Sequence, residues 1–226
     1  MKRFVTFVFI IFICILLALW SPWLYWKFDL ISLFGVKKPE PISGLQVFSL
    51  SGEMEVFLDN KSYGKVKVET SPFILDKVSV GEHLIGLKRV SNIKGAYWDF
   101  NKLITFEEGT NAVLSYNLGP SIEFSEGEVI YAIKKPDLTK ANQLNINTNI
   151  IEANIQLDNS QPQKINAKFF NQSISLDTQH KVKISRQGFE SLDFTVLPES
   201  NDDRNKLKDY DINIDAQLLY QPVEVN

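Results

Sequence analysis

Residues 54–60 read MEVFLDN, and this stretch decides the class of fold. Its apolar side chains recur at every second position, which is the period of a β-strand with one buried face. Asp59-Asn60 ends the run with two residues that tolerate positive φ, as a tight hairpin turn requires. The same alternation returns in further short runs bounded by turn residues, such as Val66-x-Val68, Val182-x-Ile184 and Ile212-x-Ile214. The sequence beyond residue 43 therefore predicts an all-β fold.

The opening stretch has a second copy about a hundred residues later. Residues 56–60 (VFLDN) recur as residues 155–159 (IQLDN), and His83 recurs as His180, each histidine preceding an alternating run. Such internal similarity is typical of duplicated domains. We therefore expect two small β-sandwich domains, residues 44–120 and 143–222. The segment between them, residues 121–142, is expected to hold a hairpin and a linker.

The turn residues of the first copy resemble the pattern of the PEGA domain family. The residues that carry the resemblance are Asp59, Asn60, Gly64, Ser71, Pro72, Gly81 and His83. The resemblance implies a small β-sandwich of the kind found in surface-layer and other envelope proteins, generally as a non-catalytic module. The second copy is degenerate, since it keeps Asp158-Asn159 and His180 but has no Ser-Pro segment. These motif residues form turns, so they specify the fold rather than an activity.

Composition excludes several classes of protein. The 226 residues carry a formal net charge of -3, one cysteine and two histidines. A single cysteine cannot form an internal disulfide, and two histidines are too few for a histidine-rich metal centre. No basic footprint for nucleic acid is present. We found no catalytic constellation and no cofactor motif, so the sequence predicts a protein that is not an enzyme and carries no cofactor or metal.

Two stretches remain as binding candidates. Tyr97 and Trp98 can stack on a ligand, although packing in the core is the competing interpretation. Residues 209–215 (DYDINID) resemble the start of a calcium loop but lack the glycine at the sixth position and the glutamate at the twelfth. A solvated strand face is the simpler interpretation of this stretch, and weak cation binding stays open.

The N-terminal segment predicts a membrane anchor. Residues 4–20 are apolar apart from Thr6, and a helix extended to residue 26 is about 34 Å long, enough to cross a hydrocarbon core of about 30 Å. Aromatic residues at its end are typical of a membrane interface: Trp20, Trp23, Tyr25 and Trp26. We expect a transmembrane signal-anchor at residues 1–26, in contact with the bilayer through residues 4–26, and a juxtamembrane connector at residues 27–43.

The residues of this segment argue against two other fates. A cleaved signal peptide needs a small residue directly before the cleavage site, but the nearest small residue, Ala18, is followed by Leu19 and the bulky Trp20, which cannot take that place. Lipidation of Cys14 would need small residues before it, which are absent. Lys2 and Arg3 abut the apolar run and favour an N-terminus inside the cell, with the β-rich part extracytoplasmic.

Together these features predict a single-pass, non-enzymatic envelope protein. Its tandem β-domains would bind, space or scaffold an extracytoplasmic partner, which is a surface layer, a wall polymer or a protein. The alternative is an accessory subunit that packs on a larger membrane or secretion complex.

Overall fold

The alternating runs of the sequence form strands, and the computed structural model describes them over residues 42–221. These strands belong to one compact unit, Pro41–Asn226. The strands of the described region are β1 (Ile42–Ser49), β2 (Met54–Leu58), β3 (Lys61–Val66), β4 (Phe73–Ser79), β5 (Gly81–Arg89), β6 (Phe100–Phe106), β7 (Asn111–Asn117), β8 (Glu126–Lys134), β9 (Gln143–Thr148), β10 (Asn154–Leu157), β11 (Gln163–Lys164), β12 (Phe169–Ser173), β13 (His180–Ser185), β14 (Leu192–Val196) and β15 (Tyr210–Gln217).

Helical structure is minor in this part of the chain. The described residues form one short α-helix, α1 (Asn201–Lys206), and the 3-10 turns Val68–Thr70 and Ile122–Phe124. The all-β prediction is therefore confirmed. Within residues 42–221 no helix combines the length and the apolar character that crossing a bilayer demands. The predicted anchor, its aromatic cluster and nearly all of the connector lie outside the described residues.

A seven-stranded sheet forms the centre of the described structure. Its strand order is β12-β9-β15-β8-β7-β1-β4. Two four-stranded sheets accompany it, with the orders β3-β2-β5-β6 and β11-β10-β13-β14. We call them the first and the second small sheet.

The strands before and after β8 are paired in the same way. In the central sheet β1 lies between antiparallel β4 and parallel β7, and β9 lies between antiparallel β12 and parallel β15. The two small sheets also share one strand order. Position by position, the order β3-β2-β5-β6 of the first corresponds to the order β11-β10-β13-β14 of the second. Strand β8 is antiparallel to both β7 and β15. The segment from which the sequence predicted a hairpin and a linker thus supplies the middle strand of the central sheet.

The small sheets pack on opposite faces of the central sheet. Leu114 lies opposite Val129 of β8, and both belong to the core under the first small sheet. Ile214 lies opposite Ile130 of β8, and these side chains pack in the core under the second small sheet. Since neighbouring residues of a strand point to opposite faces, β8 contributes one face to each core. Each half therefore leaves the other face of its part of the central sheet open.

Candidate functional site

An aspartate–histidine pair recurs in both halves. His83 Nδ1 lies 2.7 Å from Asp59 Oδ2, and His180 Nδ1 lies 2.8 Å from Asp158 Oδ2. The second oxygen of each aspartate accepts a backbone N–H from the strand that carries the histidine, at 2.9 Å in both halves. Each aspartate has positive φ, at 50° and 54°, as expected in the turn that follows β2 and β10. The pair therefore ties this turn to β5 in one half and to β13 in the other.

The pairs also shift the acidity of their carboxyl groups. The hydrogen bond from His83 lowers the pKa of Asp59, and the backbone N–H of Leu84 adds to the effect. Burial acts in the opposite direction on Asp158, but the hydrogen bonds from His180 and Lys181 still leave its pKa below the ordinary value. Since both carboxyl groups have lowered pKa values, their contribution to stability is complete above the ordinary value and is lost as pH falls through the lowered one.

One of the pairs has the geometry of a catalytic triad. His83 Nε2 lies 3.0 Å from Ser79 Oγ, so Ser79, His83 and Asp59 stand in the order of nucleophile, base and orienting acid. The same nitrogen lies 3.0 Å from the Ser79 carbonyl oxygen, and the corresponding nitrogen of His180 faces only a carbonyl oxygen, that of Ser175 at 2.8 Å. The feature common to both halves is thus an aspartate–histidine pair that forms hydrogen bonds with backbone groups.

The other motif residues form turns and close contacts. Gly64 and Gly81 have φ values of 152° and 130°, which favour glycine. Ser71 Oγ accepts the N–H of Ser49 and donates to the carbonyl of Lys67, and the peptide bond between Ser71 and Pro72 is cis. Asn60 has a φ of 64° and completes the turn that begins at Asp59.

Tyr97 and Trp98 lie in the loop before β6. The Trp98 ring packs edge-on against Phe100 at 5.9 Å between centroids, and its backbone N–H donates to the Gly119 carbonyl. The Arg89 guanidinium lies 5.0 Å from the centroid of the Tyr97 ring. Both residues are half-buried, and each ring already has a partner within the protein.

The carboxylates of residues 209–215 contact different parts of the structure. Asp211 Oδ1 accepts the backbone N–H of Gln143, and Asp215 Oδ2 lies 3.0 Å from Lys102 Nζ. Lys102 belongs to β6, so this ion pair joins the two halves. Within the described residues no three acidic, histidine or cysteine side chains are grouped so that they could hold a metal ion.

The structure brings together an aromatic set that the sequence analysis did not identify. Tyr220 packs edge-on against Phe124 at 6.5 Å and against Phe189 at 5.6 Å between ring centroids. Phe124 and Tyr220 keep 44% and 43% of their surface exposed. These rings line an open groove of about 720 Å³. We call it the aromatic groove; its lining is Ile122, Glu123, Phe124, Asn149, Ile150, Lys168, Phe189, Gln217 and Tyr220.

Hydrogen bonds keep the sides of the aromatic groove in place. The N–H of Tyr220 donates to the carbonyl of Glu123, and the N–H of Gln221 donates to the carbonyl of Gly188. The chain after β15 therefore runs between the 3-10 turn and the loop that follows β13. Gln217 Nε2 donates to the Ile122 carbonyl at 2.9 Å and fixes the turn from the sheet side. These hydrogen bonds fix the sides of the groove within the protein itself.

A second concavity of about 400 Å³ lies between α1 and the face of β7 and β8 that carries Val113 and Ile130. Leu197 lines it with a φ of 77°, which is strained for a leucine. Lys206 also lines it but is engaged by Asp203 at 2.6 Å. We call this concavity the α1 cleft.

Comparison with known proteins does not assign a family. No family model matches the chain, and no curated protein matches it. Among solved structures the Bacillus anthracis TIE protein is similar with a TM-score of 0.26 and 13% identity, over 71% of this chain and 32% of that chain. The chain thus spans about a third of that protein's length.

Proposed function

We propose that the chain is a membrane-anchored, non-enzymatic envelope protein that binds an extracytoplasmic partner. The observation that carries the proposal is the aromatic groove, an open concavity with exposed rings on a β-sheet frame. Exposed aromatic side chains grouped in a concave site are typical of binding surfaces. The anchor rests on the apolar N-terminal run, whose length and aromatic border suit a membrane span.

We further propose that the halves around β8 are two diverged copies of one domain, with the PEGA resemblance in the first copy. The equal strand pairing of the halves and the recurring aspartate–histidine pair support this. A non-catalytic role is supported by the use of both pairs to hold backbone.

The test is capture of envelope material by the full-length protein. We expect the native protein to stay in the carbonate-resistant membrane fraction at its full mass, and to retain cell-envelope fragments when immobilised. The variant Tyr220→Ala should lose most of this retention. The matched control Tyr63→Ala removes a ring that is 41% exposed on β3, away from the groove, and should retain the material. Equal retention by both variants, or a soluble protein about 20 residues shorter, would contradict the proposal.

An accessory subunit of a larger membrane complex is the second candidate. It is favoured by the open face of β4, β1 and β7, where Ile74, Gln46 and Val113 lie side by side and Ile74 is 52% exposed. This row leads into the α1 cleft, which Gln46 and Val113 line. Copurification of a stoichiometric membrane partner, lost in Ile74→Asp but kept in Tyr220→Ala, would favour this role over the first.

A further inference from the structure

Amide side chains form rows on the open face of β12, β9 and β15. Asn145 of β9 lies opposite Asn213 of β15 and opposite Asn171 of β12, so that three amides cross the sheet in one row. Asn171 Nδ2 donates to Asn145 Oδ1 at 2.6 Å. In the next row Asn147 Nδ2 donates to Asp215 Oδ1 at 3.1 Å. We call these five residues the amide face.

The amide face keeps unused hydrogen-bonding capacity. Each amide has two donor hydrogens and two acceptor lone pairs, and the bonds within the rows use only part of them. Asn147 and Asn171 are exposed, and Asn145 and Asn213 are half-exposed. The alternate side chains of these strands pack in the core under the second small sheet, so the amide face points away from that core.

The amide face continues into the aromatic groove. Gln217 lies two residues after Asp215 on β15, so its side chain belongs to the same face, and it lines the groove. Along the strand, Asn213 and Gln217 are about 13 Å apart. An extended occupant can therefore contact amides at one end and the rings of Phe124 and Tyr220 at the other.

The charges of this surface favour a neutral occupant. Asp215 is paired with Lys102, and Asp211 accepts a backbone N–H. In the groove one cation, Lys168, is balanced by one anion, Glu123. An anionic polymer would find no cluster of cations here, and a cationic peptide would find no cluster of free carboxylates.

We propose that the amide face and the aromatic groove together bind a neutral, hydroxyl-rich glycan chain. The inference rests on the proposed function and names the class of partner. Sugar hydroxyls both donate and accept hydrogen bonds, as amides do, and amides impose no charge on them. The apolar C–H faces of sugar rings pack on aromatic rings, which Phe124 and Tyr220 present. Glycans offer both kinds of contact along one extended chain.

The test is titration calorimetry with the full-length protein in a detergent that has no sugar headgroup. The probes are cellohexaose and chitohexaose as neutral glycans, polyphosphate as an anionic polymer, and an uncharged peptide. We expect at least one neutral hexamer to bind and the other probes not to bind. Tyr220→Ala and Asn213→Ala should each raise the Kd of that hexamer about tenfold. The controls Tyr63→Ala and Asn92→Ala remove an exposed ring and an exposed amide elsewhere and should leave the Kd unchanged.

Each other outcome overturns the inference. Failure of both hexamers to bind, tighter binding of polyphosphate or peptide, or equal affinity in Asn213→Ala and Asn92→Ala would each contradict it. Because the Asn213 side chain is partly exposed, we expect Asn213→Ala to fold normally. Weaker binding by this variant is then due to loss of the amide and not to loss of folding. If neither hexamer binds but envelope fragments are still captured in a Tyr220-dependent manner, the class of ligand is wrong and the proposed function stands. If capture fails as well, both are wrong.

Discussion

At the scale of single residues, the aspartate–histidine pairs show how one side chain can hold two backbone segments. His180 reaches the Asp158 carboxylate with one ring nitrogen and the Ser175 carbonyl with the other, and its side chain is only 11% exposed. In the first half, the Ser79 hydroxyl is a further neighbour of His83, whose side chain is 15% exposed. The two pairs therefore have the same geometry and a similar degree of burial.

This similarity predicts similar costs of removing the two rings. His180→Ala removes the ring from the Ser175 carbonyl and the Asp158 carboxylate, and since both residues are exposed to water it should lower the free energy of unfolding by about 1 kcal/mol. For His83→Ala we also expect about 1 kcal/mol, because water can replace the ring there in the same way. Urea unfolding followed by circular dichroism measures both. Ser79→Ala is the control and should change the free energy of unfolding only slightly. If it lowers this free energy as much as His83→Ala does, the Ser79 hydroxyl rather than the aspartate–histidine pair accounts for the stabilisation.

At the scale of elements, β8 is the strand on which both halves depend. It is hydrogen bonded to β7 on one side and to β15 on the other, and its two faces enter different cores. Gly127 shows how closely β7 approaches it, since a Cβ there would clash with the Ser115 carbonyl oxygen. The strand also carries a buried carboxyl group, Glu128, of which 6% is exposed.

Glu128 makes stability depend on pH. Burial raises its pKa to about 7, a hydrogen bond with the Ser115 side chain opposing the shift and the nearby Glu126 adding to it. The unfolded chain loses this proton near pH 4.5, so the free energy of unfolding should fall as pH rises from about 4.5 to 7. Above that range Glu128→Gln should be more stable than the native protein by about 2–3 kcal/mol. Below pH 4.5 the two proteins should be equal in urea unfolding, and a pH-independent difference would contradict this explanation.

At the scale of the whole molecule, the shared central sheet predicts that the described part unfolds as one unit. The cores of the halves are separate sets of side chains, but β8 belongs to the hydrogen-bond ladder of both. A change in one core should therefore reach the other half through this strand.

Ile184→Ala tests this coupling. The side chain is fully buried on β13, and its truncation should cost about 2–5 kcal/mol. Native-state hydrogen exchange should then become faster in β5 of the first half as well as in β13. Faster exchange confined to β9–β15 would show that the halves unfold independently. Ile93→Ala, at a site that is 71% exposed, should change neither.

Local sequence signals were sufficient to predict the all-β class and the positions of the turns. Apolar alternation and turn residues are local signals, because a strand needs one buried face and a tight turn needs residues that accept positive φ. Asp59-Asn60 and Gly81 could therefore be assigned to turns before their neighbours in space were known. The histidines could be matched to each other by position, but their partners could not be named.

The contacts between residues that are distant in sequence could not be predicted from local signals. Phe124, Phe189 and Tyr220 are far apart in sequence, and no local pattern marks them as one groove. In the sequence, the residues of the amide face are ordinary polar positions of three separate strands. They form rows only because the strand register aligns them. The role of β8 is also non-local, because its two apolar faces have meaning only when a sheet packs on each side of it. Strand pairing, register and the face that a second sheet covers all depend on contacts between residues that are distant in sequence. Every surface for which a binding function is proposed is formed by such contacts.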